Sequence, residues 1–462
     1  MFKKLKSTKR ALRVIIVGCG KVGANLVEQL SKEGNDIVVI DKNPQKIQSI
    51  TSMYDVMGIT GNGASYSLQI EAGIENTDLF IAVTGSDELN LLCCTLAKQV
   101  GNCSVIARVR TPDYSSEIGY LQEQLGLTMV INPELETAKE VSRILNMPTA
   151  LEVNSFAHGQ AELIKFKIHE KNILDGLTIS NLGNICTTKV LICAIERDNE
   201  IYIPSGNFVI KAGDIISFVT SRKNVKPFLR EIGIKASPIK DCMIIGGGKS
   251  TYYLASHLLH VGIAVKIIET NPTRCEELSD LLPKAVVINA DGTDESILKE
   301  QGIETVDSFI PLTGIDEENV MLTLYSKKVS SAKVITKINR PNFKSVISQL
   351  DLGSVIYPQI ITSEAIIAYA RAKKNSIGSN IETLYHMFDS KVEAIEFLVE
   401  AKSAVTDTPL MKLSLKKNLL ISFINRNGSI IIPSGSDCIH VGDTVMIVTK
   451  HSGFNDLLDI LE

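Results

Sequence analysis

Between residues 13 and 147, short apolar runs alternate with stretches of helical spacing. Val14–Val17, Ile37–Ile40, Leu79–Val83 and Val105–Val109 are nearly continuous and rich in β-branched residues, the pattern of strands buried on both faces. Ala24–Lys32 and Asn90–Val100 lie between them with apolar residues at helical intervals. This alternation predicts a doubly wound parallel sheet. Beyond Met147-Pro148 the period changes: Ala161–Ile168, Val190–Glu196 and Ile215–Thr220 read as closely spaced strands, and Asp198-Asn199 between two of them predicts a hairpin turn. This is the pattern of a small α+β lobe.

The chain then repeats. Val-Gly-Cys-Gly-Lys at 17–21 returns as Ile-Gly-Gly-Gly-Lys at 245–249, and Asp41-Lys-Asn-Pro44 as Glu269-Thr-Asn-Pro272. Thr84-Gly-Ser-Asp-Glu88 returns as Thr313-Gly-Ile-Asp-Glu317, Pro204-Ser-Gly206 as Pro433-Ser-Gly435, and Gly213-Asp214 as Gly442-Asp443. Asn427-Gly428 repeats the hairpin signal. Order is kept throughout, so a unit of about 230 residues is duplicated. The fold class expected is α/β, with two doubly wound parallel (Rossmann-like) sheets, each followed by a small α+β lobe. The expected segments are a basic tail over 1–11, a nucleotide-binding sheet domain over 12–147, a regulatory lobe over 148–235, a second sheet domain over 240–376 and a second lobe over 381–462. Pro238, within Ile234–Asp241, marks the linker between the units, and polar Lys373–Asn380 separates the second sheet from its lobe.

Composition narrows the function. At 462 residues the chain exceeds what one core serves. Hydrophobic residues at 44% and charged residues at 22% are ordinary for globular domains. No Trp and 5% aromatics argue against a base-stacking platform, and a net charge of −4 gives no electrostatic footprint for nucleic acid. No apolar run approaches the roughly 18–20 residues of a spanning helix, so a soluble chain is expected. Lys3, Lys4, Lys6, Lys9 and Arg10 lead into a strand pattern, not an apolar signal segment. They read as a solvated tail, or as an arm attracted to anionic lipid. Nine Cys, none in a C-x-x-C arrangement, predict reduced, buried thiols in a cytosolic protein and no metal site.

The chemistry lies in Gly18-Cys19-Gly20-Lys21-Val22-Gly23, which follows a strand and opens a helix. Gly18 permits the tight turn, Gly20 lets backbone approach a pyrophosphate, and Gly23 lets helix and strand pack closely. The helix N-terminus offers free N–H groups to phosphate. Asp41 closes the second strand, placed to accept both hydroxyls of a ribose and to disfavour a 2′-phosphate. Gly61-Asn62-Gly63 after the third strand is small enough for a base or ribose to lie close, Thr84 and Gly85 end the fourth strand, and Arg108 on the fifth could hold phosphates bidentately.

The second copy departs from this pattern. Gly246 and Gly248 are kept, Thr251 replaces the third glycine, Glu269 replaces Asp41, Lys337 replaces Arg108, and Pro311 lies in the fourth strand. No P-loop, H-E-x-x-H or G-x-S-x-G motif occurs, since Gly248-Lys249-Ser250 lacks the upstream glycine of a P-loop. The seven histidines, His158, His169, His257, His260, His386, His440 and His451, follow no sheet strand, so no catalytic residue is identified. His257 and His260 read as a helical surface pair.

The ordered set Gly18-x-Gly20-x-x-Gly23, Asp41, Gly61-x-Gly63, Thr84-x-Ser86-Asp87-Glu88 and Arg108-x-Arg110-x-Pro112-x-Tyr114 resembles the TrkA family, cytosolic subunits of bacterial potassium-uptake systems built from regulator-of-potassium-conductance domains. The resemblance covers essentially the whole chain, duplication included. It implies a non-enzymatic regulator at the inner face of the cell membrane, bound to a pore-forming potassium-transport subunit, with sheet domains assembled as a homo-oligomeric ring, a tetramer. It implies NAD(H) or ATP/ADP as ligand. Gly18, Cys19, Gly20, Lys21, Val22, Gly23, Asp41, Thr84, Gly85 and Arg108 would form the first site, and Gly246, Gly247, Gly248, Lys249, Ser250 and Glu269 the second. The fold pattern alone leaves open a nicotinamide-dependent oxidoreductase, or a nucleotide sensor for another cation transporter or a transcription partner.

Overall fold

Continuous apolar runs can be satisfied only between layers, and each sheet run is sandwiched in this way. A computed structural model describes residues 11–234, 238–340, 344–347, 349–374, 379–388 and 390–462. Most of the expected basic tail, at 1–10, and parts of the two expected linkers, at 235–237 and 375–378, lie outside the described residues. The chain forms two compact units, Met1–Glu136 with Gln359–Ser376, and Thr137–Pro358 with Ile377–Glu462.

In the first unit, strands β1 (Arg13–Val17), β2 (Asp36–Asp41), β3 (Met57–Thr60), β4 (Leu79–Ala82), β5 (Ser104–Arg108) and β6 (Met129–Ile131) form a parallel sheet in the order β3-β2-β1-β4-β5-β6. Val14 pairs with both Ile37 and Leu79, so β1 and β4 are the central neighbours where connections leave in opposite directions. Ile15, Val17, Phe80, Ala82 and Val105 meet Cys93, Cys94 and Ala97 of the helix Asp87–Val100 in one core. The helix Pro358–Lys374 completes the unit: its Arg371, buried, is ion-paired to Glu33, and Tyr369 Oη donates to Ser104 Oγ at 2.7 Å.

The second unit begins within the helix Pro133–Leu145, whose Ala138, Val141, Ile144 and Leu145 are buried in the core of the second parallel sheet. The first lobe follows, with β7 (Glu152–Phe156), β8 (Ala161–Lys167), β9 (Leu191–Arg197), β10 (Glu200–Tyr202) and β11 (Ile215–Ser221) in the antiparallel order β10-β9-β11-β8-β7. Asp198 and Asn199 take φ of 51° and 63°, as the turn between β9 and β10 requires. The second parallel sheet repeats the first: β12 (Asp241–Ile245), β13 (Ala264–Glu269), β14 (Val286–Asn289), β15 (Ser308–Pro311), β16 (Lys333–Lys337) and β17 (Ser354–Ile356), ordered β14-β13-β12-β15-β16-β17. The second lobe has β18 (Ser379–Met387), β19 (Val392–Val399), β20 (Leu419–Arg426), β21 (Ser429–Ile431) and β22 (Thr444–Thr449), ordered β18-β19-β22-β20-β21. The two sheet-terminal helices are thus exchanged between the halves of the duplication, a grouping that periodicity does not carry.

The two lobes share a core. Phe156, Leu163, Cys193 and Val219 of one pack with Met387, Phe388, Phe423, Met446 and Val448 of the other. The turn after β7 is strained, with φ of 50° at Ala157 and 52° at His158, and buried Glu396 accepts from Ala157 N at 2.7 Å. The mirrored turn after β18 has φ of 49° at Phe388. There the position on β8 matching Glu396 is Lys165, whose Nζ lies 4.4 Å from the Phe388 ring centroid and 3.1 Å from Glu152 Oε1.

Burial pushes the Glu396 carboxyl up from its ordinary 4.5 to about 7, against the hydrogen bonds from Thr383 and Ala157 N, with Glu382 adding to the rise. Between these values the folded state holds a proton that the unfolded chain releases, so this stabilisation is complete below pH 4.5 and lost as pH rises through 7. Glu396→Gln keeps an acceptor for Ala157 N and does not titrate. In urea unfolding at pH 5 and pH 8, the wild type should lose stability relative to the variant by on the order of 3 kcal/mol across that interval. Parallel pH profiles would mean that Glu396 does not titrate in the lobe core.

Candidate functional site

At the carboxyl ends of β1 and β4 the chain turns away on opposite sides, leaving the crevice in which open α/β sheets bind ligands. Gly18 follows β1 with φ of 103°, and a Cβ there would lie 2.9 Å from Thr84 N. Gly23 faces back onto the same loop, where a Cβ would stand 1.8 Å from Gly18 O. Around Gly20 and Gly85, by contrast, a Cβ would meet nothing within 4 Å. Two glycines therefore shape the loop, and two leave backbone bare beside open space.

The helix Lys21–Lys32 begins at Gly20 with no side-chain cap and no acidic residue in its first turn. The neighbouring helix Asp87–Val100 is capped by Ser86, which accepts from Leu89 N, and carries Asp87 and Glu88 in its first turn. The uncapped end suits an anion, since the first N–H groups of a helix have no partner within it.

Asp41, at the end of β2, turns back onto the glycine loop. Its Oδ2 accepts from Cys19 N at 2.7 Å and its Oδ1 from Asn43 N at 2.9 Å. A carboxylate has about four acceptor sites, so these bonds leave capacity for ribose hydroxyls. Burial, helped by Asp41, pushes the Cys19 thiol up to about 12, which makes it a packing group and not a nucleophile.

Across the crevice, Arg108 is partly buried. Its Nη2 donates to Thr84 O, and its buried Nε has no hydrogen-bond partner. Burial, and then the neighbouring Arg110, pull its pKa down, the sign of a cation short of compensating charge. Arg110 donates to Gly85 O at 2.6 Å and lies 3.6 Å from Asp87.

Two residues that sequence reasoning did not select hold this side together. Asn90, fully buried, accepts from Thr84 N at 2.8 Å and from Thr84 Oγ1 at 2.7 Å, and its amide donates to Arg108 O at 2.8 Å. The Thr84 hydroxyl is thereby engaged within the protein. Asp87 Oδ2 accepts from Arg110 N, Thr111 N and Thr111 Oγ1. Burial raises the Asp87 carboxyl, but these hydrogen bonds and the Arg110 charge outweigh it and hold it below its ordinary value. Both residues repeat: Asn319 bonds Thr313 and Lys337 in the same way, and Asp316 accepts from Asn339 N and Arg340 N. Asp87 lies within the repeated motif without being assigned a role, and extending that motif to Thr-Gly-x-Asp-Glu-x-Asn adds Asn90. A Cβ at Gly61 would come within 2.2 Å of Leu68, and one at Gly63 within 2.2 Å of Val17, so protein packing by itself already requires both to be small.

The second crevice keeps the frame with altered parts. Gly246 has φ of 97°, Gly248 leaves open space, and the helix Lys249–His260 starts without a side-chain cap. Glu269 reaches Gly247 N at 2.5 Å, the contact Asp41 makes with Cys19. The longer side chain fits because position 247 is glycine: a Cβ there would lie 3.0 Å from Glu269 Cγ. Thr251, in the place of the third glycine, donates its hydroxyl to Gly246 O at 2.6 Å. Lys337 donates to Leu312 O, and the Arg110 position is Asn339. Ser250 is buried in the first turn of its helix.

Eight of the nine cysteines are buried and all are free, and no group of three or more metal-ligating side chains occurs among the described residues. His257 and His260 lie in the last turn of their helix, exposed and away from the crevice. The TrkA-N domain model matches residues 14–133 and 242–358, and the TrkA-C domain model matches 163–233 and 394–462. The chain is 31% identical over 456 residues to the Trk system potassium uptake protein TrkA homolog 1 of Methanosarcina mazei, covering 96% of this chain and 99% of that one. It is 29% identical over 440 residues to the Trk system potassium uptake protein TrkA of Haemophilus influenzae, covering 94% and 95%. In fold it is similar to the GsuK RCK domain, at a TM-score of 0.63 and 16% identity over 95% of this chain and 92% of that one. It is also similar to the GsuK channel bound to NAD, at 0.62 and 16% over 95% and 77%.

The glycines make separable predictions. Gly23→Ala drives a Cβ into a backbone oxygen and should destabilise the chain by about 3 kcal/mol or more in urea unfolding. Gly20→Ala, with open space, should change it by less than about 1 kcal/mol. Equal losses would contradict this division of roles.

Proposed function

The chain belongs to the TrkA family, and from that premise we propose that it is a nucleotide-sensing regulatory subunit of a potassium-transport system. One observation carries this reading: a crevice with an uncapped helix end and bare glycine backbone is built twice, while among the described residues no histidine stands at the carboxyl end of a parallel-sheet strand in either copy to serve as acid or base. Relatives named for potassium uptake, and a fold shared with the GsuK RCK domain and with the GsuK channel bound to NAD, support it.

NAD(H) is the ligand of the first site, with ATP or ADP competing for the same phosphate-binding end. Gly18 to Gly23 and the helix start hold the pyrophosphate, Asp41 the ribose diol, and Gly85 and Arg108 the opposite wall. Gly246 to Ser250 with Glu269 form the weaker second site. The nucleotide supplies charge and shape for the protein to sense; this chain's residues bind and orient it. Its occupancy biases two arrangements of the sheet domains, and the bias reaches a pore-forming membrane partner from the cytoplasmic side. Shifting such an equilibrium from 1:99 to 99:1 takes about 5.5 kcal/mol, which several modest preferences in a homo-oligomeric ring can supply together. Exposed Leu92 and Met321, at equivalent positions of the helices that follow β4 and β15, suit contacts between such sheet domains. No helix among the described residues is long and apolar enough to cross a membrane.

Calorimetric titration with NADH, NAD⁺, ATP and ADP, with nucleotide integrity checked afterwards, should give unequal affinities and no consumption. Asp41→Asn keeps an acceptor for Cys19 N but removes charge. It should weaken NADH binding about tenfold and narrow the gap to NADPH. Consumption of the dinucleotide, or unchanged NADH affinity in the variant, would overturn the proposal.

A further inference from the structure

The second parallel sheet has another concavity at the amino ends of its strands, the end away from the nucleotide crevice. It encloses about 530 Å³. Its walls include Pro148 and Thr149 on the way into the first lobe, Pro238 and Ile239 on the way out, and Lys327, Ser331 and Lys333 from the sheet. The walls are largely polar, unlike an ordinary packing gap.

Lys333 is the group that needs explaining. It opens β16, its Nζ donates to Ala150 O, and that carbonyl also accepts from Ser354 Oγ. A lysine has three donors, and no carboxylate among the described residues lies within ion-pairing distance of this one. Of the other charged groups lining the space, Asp307 is engaged through Oδ2 with Lys240 N, and Glu304 is exposed. Lys327 is ion-paired to Asp351. A half-buried ammonium with a carbonyl as its partner, beside a second lysine and with no carboxylate in ion-pairing range, gains if something negative joins it.

We propose that this cavity binds a small oxyanion, a carboxylate or phosphate group, as counter-ion to Lys333. Thr149, Thr305 and Ser331 bring hydroxyls to the same walls. An occupant would touch both connections of the first lobe at once. It would also sit at the start of a strand whose last residue, Lys337, reaches the second nucleotide crevice. Binding at the two ends would then be linked, and any such linkage is reciprocal. Burial, with Lys327 adding to it, lowers the Lys333 amine from 10.5 to about 8, as expected of the site without its anion.

The test is a titration of the full chain carrying ¹³C-labelled lysine, with the Lys333 ε-carbon assigned through Lys333→Arg. Inorganic phosphate and acetate are each compared with chloride at constant ionic strength. Saturating phosphate or acetate should move the Lys333 midpoint up by one pH unit or more, a tenfold preference of the anion for the charged amine. Whichever anion acts names the chemistry. The same anion should raise the thermal midpoint of the wild type and leave that of Lys333→Met unchanged. A midpoint that stays put in both anions would overturn the proposal. So would one that moves in Glu304→Gln and not with anion, since Glu304 would then be the counter-ion.

Discussion

The hydrogen bond from Thr84 N to the buried amide of Asn90, with its repeat from Thr313 N to Asn319, is what keeps each crevice open. Where β1 and β4 part, the backbone loses its neighbours, and buried N–H and C=O groups must still be paired. Val83 N finds Val17 O, and Gly18 N finds Ile40 O, as continuations of the sheet. The next amide has no strand to reach, and Asn90 supplies an acceptor without filling the space above Gly20 and Gly85. By donating to Arg108 O as well, it fixes the end of β5, on which the half-satisfied guanidinium stands. One amide thus settles both the shape of the wall and the position of its charge.

Much of the architecture is legible in the chain. The apolar runs over 14–17, 37–40, 79–83 and 105–109 became adjacent parallel strands because continuous burial leaves them little alternative, and the repeated motifs placed a second copy in the same order. The glycine loop and Asp41 were legible because their geometry admits few residue types. Asn90 was not: an asparagine inside a helical stretch looks like a solvent-facing position, and only tertiary structure reveals that three polar groups converge on it. Nor was the exchange of the helices Pro133–Leu145 and Pro358–Lys374, since an apolar face specifies that it must be covered and not which sheet covers it. At Gly61 and Gly63 small residues signal close approach, and among the approaching groups are Leu68 and Val17 of the chain itself.

The two crevices also show how a duplicated site diverges without losing its frame. Cys19 with Asp41 and Gly247 with Glu269 are two solutions of one distance problem, the extra methylene of glutamate taking the room that the missing Cβ leaves. Thr251 ties its hydroxyl to the carbonyl that a side chain in the first copy would strike. The frame survives with its cations changed in kind and place: Lys337 stands for Arg108, and Arg340, one position beyond the Arg110 equivalent, pairs with Asp316.

The lobes have diverged further, into complementary parts. A lobe bearing Glu396 meets a backbone N–H at Ala157, and a lobe bearing Lys165 meets the ring of Phe388. Two copies of the first lobe would leave that N–H without its acceptor, and two copies of the second would set a carboxylate against an aromatic face. The duplication is therefore entrenched: a chain rebuilt from two identical halves would need coordinated changes on both sides of the shared core before its lobes could close.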